Sequence, residues 1–232
     1  MQKAASQAAC RASSLAVLRT LPRSFYDRDP RRVARALLGK LLLRRRGRKL
    51  RAGRIVEVEV YLAEKDPAAH AFRGPTPRNR VLFGPPGHAY VYFIYGNHFC
   101  LNVSCLPPGN AGCVLLRALE PVAGLEEMAR ARKVRVDGKR ALRHLTSGPG
   151  RLCQALGVTR ARDNGKDFTG SDLEIADDGF RPRRIAVTPR IGIRKAAARP
   201  LRYLIAGSLF VSVRISPPRP QRSPRRKGGT RH

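Results

Sequence analysis

Three strand-like runs, AYVYFIYG, FCLNVSC and CVLLRALEP, follow one another between Ala89 and Pro121, joined by short connections that contain glycine. Links this short make antiparallel pairing the economical topology, and they commit the middle of the chain to a sheet. Upstream, Leu41-Leu42-Leu43 and the β-branched, alternating run Arg54–Tyr61 flank Arg46-Gly47-Arg48, which predicts a further hairpin. Asp29-Pro30 offers an N-cap followed by proline, with Val33 and Leu37 one turn apart and Gly39 as the stop, so a helix is predicted over 30–38. Asp66-Pro67 predicts a short helix carrying His70. Two more helices are predicted, over 121–132 and over 148–156 between a Ser147 N-cap and Gly157. Asp163–Asp178 reads as a long acidic loop, and last strands are expected near 185–194 and 201–213.

A length of 232 residues with 42% apolar side chains allows one large domain, or two small ones, with a sizeable core. Charge is the outlier, at +31 from 47 Lys+Arg against 16 Asp+Glu. Residues 1–23 and 214–232 contain no acids, yet the stretch between them is still strongly basic. Self-repulsion on that scale suits a polyanionic partner, and nucleic acid is the first to consider, although base composition of the genome could also enrich surface arginine. The five cysteines form no Cys-x-x-Cys pair and the histidines no zinc spacing, so neither a metal site nor a disulfide framework is expected. No apolar run approaches the roughly 18 residues of a spanning helix. An intracellular protein kept with DNA is expected, in bacterial cytoplasm or nucleoid, or in a nucleus or organelle if the source is eukaryotic. The acid-free first 23 residues fit a basic arm or an overlong start better than a transit peptide.

Acids are scarce where chemistry could lie, since none occurs from residue 67 to residue 119. On a regular strand Glu57, Glu59 and Tyr61 share one face, either as an exposed polar face paired with Arg51 or Arg54 or as part of a site. Tyr61, Tyr90, Tyr92 and Tyr95 are interleaved with Arg73, Arg78 and Arg80, a mixture that serves stacked bases and phosphates but also ordinary sheet packing. Asn102 and Arg117 interrupt apolar strands and need a polar cavity or an anionic partner, and Glu59 is the economical partner for Arg117.

The ordered set GRIVEVEVYL, DPAAH, TPRNR, YVYFIYG, CLNVS, VLLRALEP and SGPGRLCQALG resembles the alkyladenine (3-methyladenine) DNA glycosylase family, from about Ser24 to Val213. That resemblance implies a single α+β domain around a curved, mainly antiparallel sheet with flanking helices. A β-hairpin would protrude into the minor groove of DNA. It assigns Glu59 as the general base that activates water and Arg117 as the residue that helps hold it. Tyr61, His70, Tyr92 and Asn102 match the base pocket, with Asn102 crowding the amino group of normal guanine. Tyr95 matches the intercalating wedge, and Thr76, Arg78 and Arg80 would lie near phosphates.

The implied activity is monofunctional and free of cofactor and metal: release of 3-methyladenine and 7-methylguanine, with hypoxanthine or ethenoadenine as further candidates, from double-stranded DNA by a monomer. A domain over 24–213 between basic arms at 1–23 and 214–232 is expected, with no membrane partner. A non-catalytic DNA-binding homologue is the alternative, favoured by charge alone. Strand-cleaving lysine chemistry is unsupported, because no lysine lies between Lys65 and Lys133. A glycoside hydrolase using Glu57 and Glu59 fails because strand neighbours stand side by side, whereas that reaction needs carboxylates flanking the bond.

Overall fold

A 13-residue strand, Lys49–Tyr61, is the axis of the computed structural model, which describes residues 18–94 and 96–213. The strands are β1 (Arg19–Thr20), β2 (Leu41–Arg46), β3 (Lys49–Tyr61), β4 (Ala89–Ile94), β5 (His98–Ser104), β6 (Cys113–Ala123), β7 (Leu173–Asp177), β8 (Ile185–Thr188) and β9 (Arg202–Ile205). All pair antiparallel in one curled sheet ordered β1-β7-β2-β3-β6-β5-β4, with β9 on β3 and β8 on β9. One edge of β3 runs along β6. The other is divided, first to β2 through Arg54 and then to β9 from Glu57 to Glu59. Helices α1 (Arg23–Tyr26), α2 (Pro30–Leu37), α3 (Leu125–Arg132), α4 (Gly138–Thr146), α5 (Pro149–Leu156) and α6 (Arg160–Asp163) flank it, giving a single α+β domain.

Alternation along the strands separates core from site. Val58 and Val60 of β3, Leu101 and Val103 of β5, and Val114, Leu116 and Leu119 of β6 pack with Val33 and Leu37 of α2 and Leu152 and Leu156 of α5. Each such side chain contributes roughly 1.5–3 kcal/mol on burial. The intervening residues, among them Glu59, Tyr61, Asn102 and Arg117, face the other way. One step is irregular: Ile55 pairs with Leu119, Glu57 with Ala118 and Val58 with Leu116, so Val56 and Arg117 are each an extra residue on their strand. Ile55 thereby joins Val58 and Val60 in the core, where plain alternation would have set it beside Glu57.

Several elements correct the sequence reading. No helix follows Asp66-Pro67, because the Asp66 carboxylate is committed to Arg190 and residues 67–73 form turns. Instead of a helix beginning at 121, β6 continues to Ala123 and α3 starts at Leu125. Gly124 between them has φ +70°, and a Cβ there would lie 2.3 Å from the Leu50 carbonyl oxygen, so the junction requires glycine. Helix α4 was not anticipated. The N-cap of α5 is Gly148 without a side-chain bond, since Ser147 bridges to Ala118.

The acidic stretch 163–178 contains strand β7, and its carboxylates hold buried cations: Asp163 and Asp172 pair with Arg44, and Asp177 with Lys40. The last two strands are shorter than expected. β8 stops at Thr188 before Pro189, and β9 stops at Ile205 before a turn at Gly207. Paired backbone reaches back to Arg19, ahead of Ser24. Residues 1–17 and 214–232 lie outside the described residues, as does Tyr95, expected from the sequence as the wedge.

Candidate active site

On the face of the sheet opposite the main core, the described residues enclose a cavity of about 540 Å³. Tyr61 from β3, Tyr90 and Tyr92 from β4, Cys100 and Asn102 from β5, and Arg117 from β6 form its walls. The N-terminus of α5, from Ser147 to Arg151, and the loop Ile191–Ile193 close its sides. His70 stands at the mouth. Its ring packs edge-on against Tyr92 at 4.5 Å between centroids, and its Nδ1 lies 2.9 Å from the Tyr90 hydroxyl. Partial burial, followed by nearby Arg78, lowers its pKa and favours the neutral ring.

Glu59 is fully buried behind Tyr61 and Arg117. Its Oε2 accepts hydrogen bonds from the Tyr61 hydroxyl at 3.1 Å and from Arg117 Nη1 at 3.2 Å, while its Oε1 accepts the backbone N–H of Ile191 at 2.8 Å. A carboxylate oxygen accepts two bonds readily, so among the described groups Oε1 retains a lone pair beside a cavity-lining residue. The Tyr61 phenol is pushed well above its ordinary pKa by burial and then by the Glu59 charge, which keeps it a donor. Burial opposes the charge on Arg117 but is outweighed by Glu59 and then Glu57, so the guanidinium stays protonated. Burial also raises the pKa of Tyr92 and takes that of Tyr90 up to about 12, which leaves both rings neutral walls.

Glu57 corrects the reading of an exposed polar face. It is fully buried, bonded to Arg117, Arg202 and Ser212. The surface arginines weighed for it go elsewhere, Arg54 to Asp178 and Arg51 to the Ala155 carbonyl. Asn102 is pinned at the cavity wall, its Nδ2 donating to the Tyr90 carbonyl at 3.1 Å and its Oδ1 accepting the Cys113 thiol at 3.8 Å.

Thr76, Arg78 and Arg80 are exposed on the loop beside His70 and Tyr92. The Arg78 guanidinium lies 6.0 Å from the Tyr92 ring centroid. The Thr76 hydroxyl accepts the Asn79 N–H at 3.3 Å. Asn79, which sequence reasoning passed over, is the clasp of this loop: its side chain accepts the Thr76 N–H and donates to the carbonyls of His70 and Gly74. Also missed were Arg190, which forks onto Asp66 and lies over the Tyr61 ring at 4.6 Å, and Ser212. Asn79 alone had a sequence signal, a polar residue in TPRNR; the Ile191 contribution is backbone and leaves none.

The family description "Methylpurine-DNA glycosylase" matches residues 24–209. Similar proteins include one from Koribacter versatilis, 63% identical over 202 residues, covering 86% of this chain and 96% of the relative. Another, from Burkholderia lata, is 49% identical over 83% of this chain and 90% of its own length. A third, from Methanoculleus marisnigri, is 49% identical over 84% of this chain and its entire length. All three carry the name "Putative 3-methyladenine DNA glycosylase". With the match spanning most of the described fold and every wall of the cavity up to Ile193, the chain belongs to the methylpurine-DNA glycosylase family.

Proposed function

We propose that the protein is a monofunctional DNA glycosylase that takes methylated purines, 3-methyladenine and 7-methylguanine foremost, out of the duplex and hydrolyses their bond to deoxyribose. The observation that carries this reading is the Glu59 carboxylate, with a lone pair to spare, held behind an aromatic-walled cavity in a strongly basic protein. The N-glycosidic bond is inaccessible inside stacked DNA, so the nucleotide must turn out, at a cost of a few kcal/mol. Stacking on Tyr61, Tyr92 and His70 offsets that cost. Methylation at N3 or N7 leaves the purine cationic, and electron-rich rings hold a cation better than a neutral base.

In the chemical step water oxygen bonds to C1′ as the glycosidic bond breaks. Its proton passes to Glu59, and the bonding pair leaves with the purine, which departs neutral. Arg117 and Tyr61, both bonded to Oε2, keep the carboxylate aimed. Tyr95 would fill the vacated stack, and Thr76, Arg78 and Arg80 would lie along the backbone phosphates. The protein acts as a monomer on double-stranded DNA within the cell. A neutral lesion such as hypoxanthine or ethenoadenine would need protonation as it leaves.

The test is incubation of the full chain with methylated duplex DNA, followed by chromatography of released bases and alkaline cleavage at abasic sites. Free methylpurines with an equal number of abasic sites are expected. DNA binding without base release would favour the non-catalytic alternative.

A further inference from the structure

Arg117 lies between two buried carboxylates, Glu57 and Glu59, and only one of them has a part in the reaction proposed above. Glu57 Oε1 accepts Arg117 Nε at 3.1 Å, Arg202 Nε at 2.7 Å and the Ser212 hydroxyl at 2.8 Å, while Oε2 accepts the Ser212 backbone N–H. Ser212, so held, accepts Arg117 Nη2 at 3.3 Å through its hydroxyl. Glu57 therefore fixes the guanidinium at Nε directly and at Nη2 through Ser212, leaving Nη1 for Glu59. Arg202 completes the cluster, bonding Thr188 Oγ1 at 3.2 Å and the Val213 carbonyl at 2.6 Å. The extra residue on each of β3 and β6 sets this arrangement where straight alternation would break.

Taking on Glu57 as well as Glu59 costs more desolvation than a single ion pair would need. Its consequence is electrostatic. A guanidinium given wholly to Glu59 would stabilise that carboxylate's anion and weaken it as a proton acceptor. We propose that Glu57 is a positioning residue: by holding Arg117 at two nitrogens and sharing its charge, it keeps Glu59 oriented and basic enough to take a proton from water. This inference rests on the reading of Glu59 as the base. The other groups facing Glu59 are Tyr61 on its own strand, the Ile191 N–H and the Arg190–Asp66 pair from the flanking loops, Cys100 from β5 and Arg202, its partner in register, from β9. None of them takes a second carboxylate onto Arg117.

The experiment is single-turnover release of 7-methylguanine from methylated duplex DNA by the full chain, between about pH 5 and 9. This lesion is already cationic in DNA and departs as a neutral base without taking up a proton, so the acid limb reports the protein's base and not the leaving group. Glu57→Gln is expected to lower the plateau by at least about tenfold and to move the acid limb to lower pH, with lesion binding retained. Glu57→Asp keeps the charge and should keep the acid limb in place at a reduced plateau. Ser212→Ala should lower the plateau without moving the limb.

An acid limb in folded Glu57→Gln coincident with that of the unaltered protein overturns the proposal. If Glu57→Gln does not fold, unchanged plateaus in Glu57→Asp and Ser212→Ala overturn it, and lowered plateaus with the limb in place support it. Glu59→Gln run alongside separates the two ideas, because full excision by that variant overturns the role of Glu59 itself.

Discussion

Asn102, which the family resemblance places against the amino group of normal guanine, is a single polar side chain on an apolar strand. Burying its amide without partners would cost several kcal/mol, but both ends are bonded, to the Tyr90 carbonyl and the Cys113 thiol, and the side chain stands fixed at the cavity wall. A fixed group excludes by shape. Asn102→Ala should therefore raise release of unmodified guanine by about tenfold or more while altering 3-methyladenine release far less, within the roughly 10–200-fold range that a small steric change commands. The ratio of the two bases released from methylated DNA reads this directly, and an unchanged ratio would remove Asn102 from the selectivity account. At this scale much of the candidate site was legible: Glu59, Tyr61, Tyr92, Asn102 and Arg117 stand out as polar or aromatic residues in strand runs, whereas His70, which lies in turns, was picked out by the family resemblance alone. Glu57 was noticed beside them, but its burial was not legible, because its partners Arg202 and Ser212 lie 145 and 155 positions away and only the folded sheet brings them near.

Strands β2 to β6 were readable because alternation, a turn-like Gly47 and short glycine links act locally. The slip between β3 and β6 was not, since it depends on one extra residue in each of two strands far apart in sequence. Helix α4 escaped notice because its residues, Gly138–Thr146, open on glycine and carry three cations with little apolar surface. The loop after β8 was read as strand, yet it delivers the Ile191 N–H to Glu59 and is fastened by the Arg190–Asp66 fork, both side chains fully buried. Breaking such a pair leaves a buried charge unmatched, so Asp66→Asn should cost about 3–5 kcal/mol of stability and slow excision as the loop leaves Glu59. Urea denaturation and base release measured on the same preparation check this. A loss below about 1 kcal/mol would mean that the loop is held by other contacts.

Across the whole molecule, sparse acids are spent on holding an abundance of arginine and lysine. Asp177 is drawn well below its ordinary pKa of 3.8 first by Arg181 and, against some burial, by Lys40. At Asp66 burial works against ionisation but Arg190 outweighs it, and at Asp172 Lys166 and then Arg44 do the same. Groups whose pKa is lower folded than unfolded contribute stability that is complete above the unfolded value and drains away as pH falls through the folded one. Resistance to urea should thus be level from neutrality down to about pH 5 and decline steeply below about pH 4. A decline that begins near neutrality would point to histidine instead.

The remaining cations make the surface fit for a polyanion, and the proposed reaction rests on one carboxylate behind the cavity. The most direct measurement is single-turnover methylpurine release by Glu59→Gln beside its binding to the same lesion duplex. Release should fall by at least about 10²–10⁴-fold while binding holds or tightens, because the amide keeps the shape of the site but cannot take a proton from water. Release within a few-fold of the unaltered protein would contradict the account.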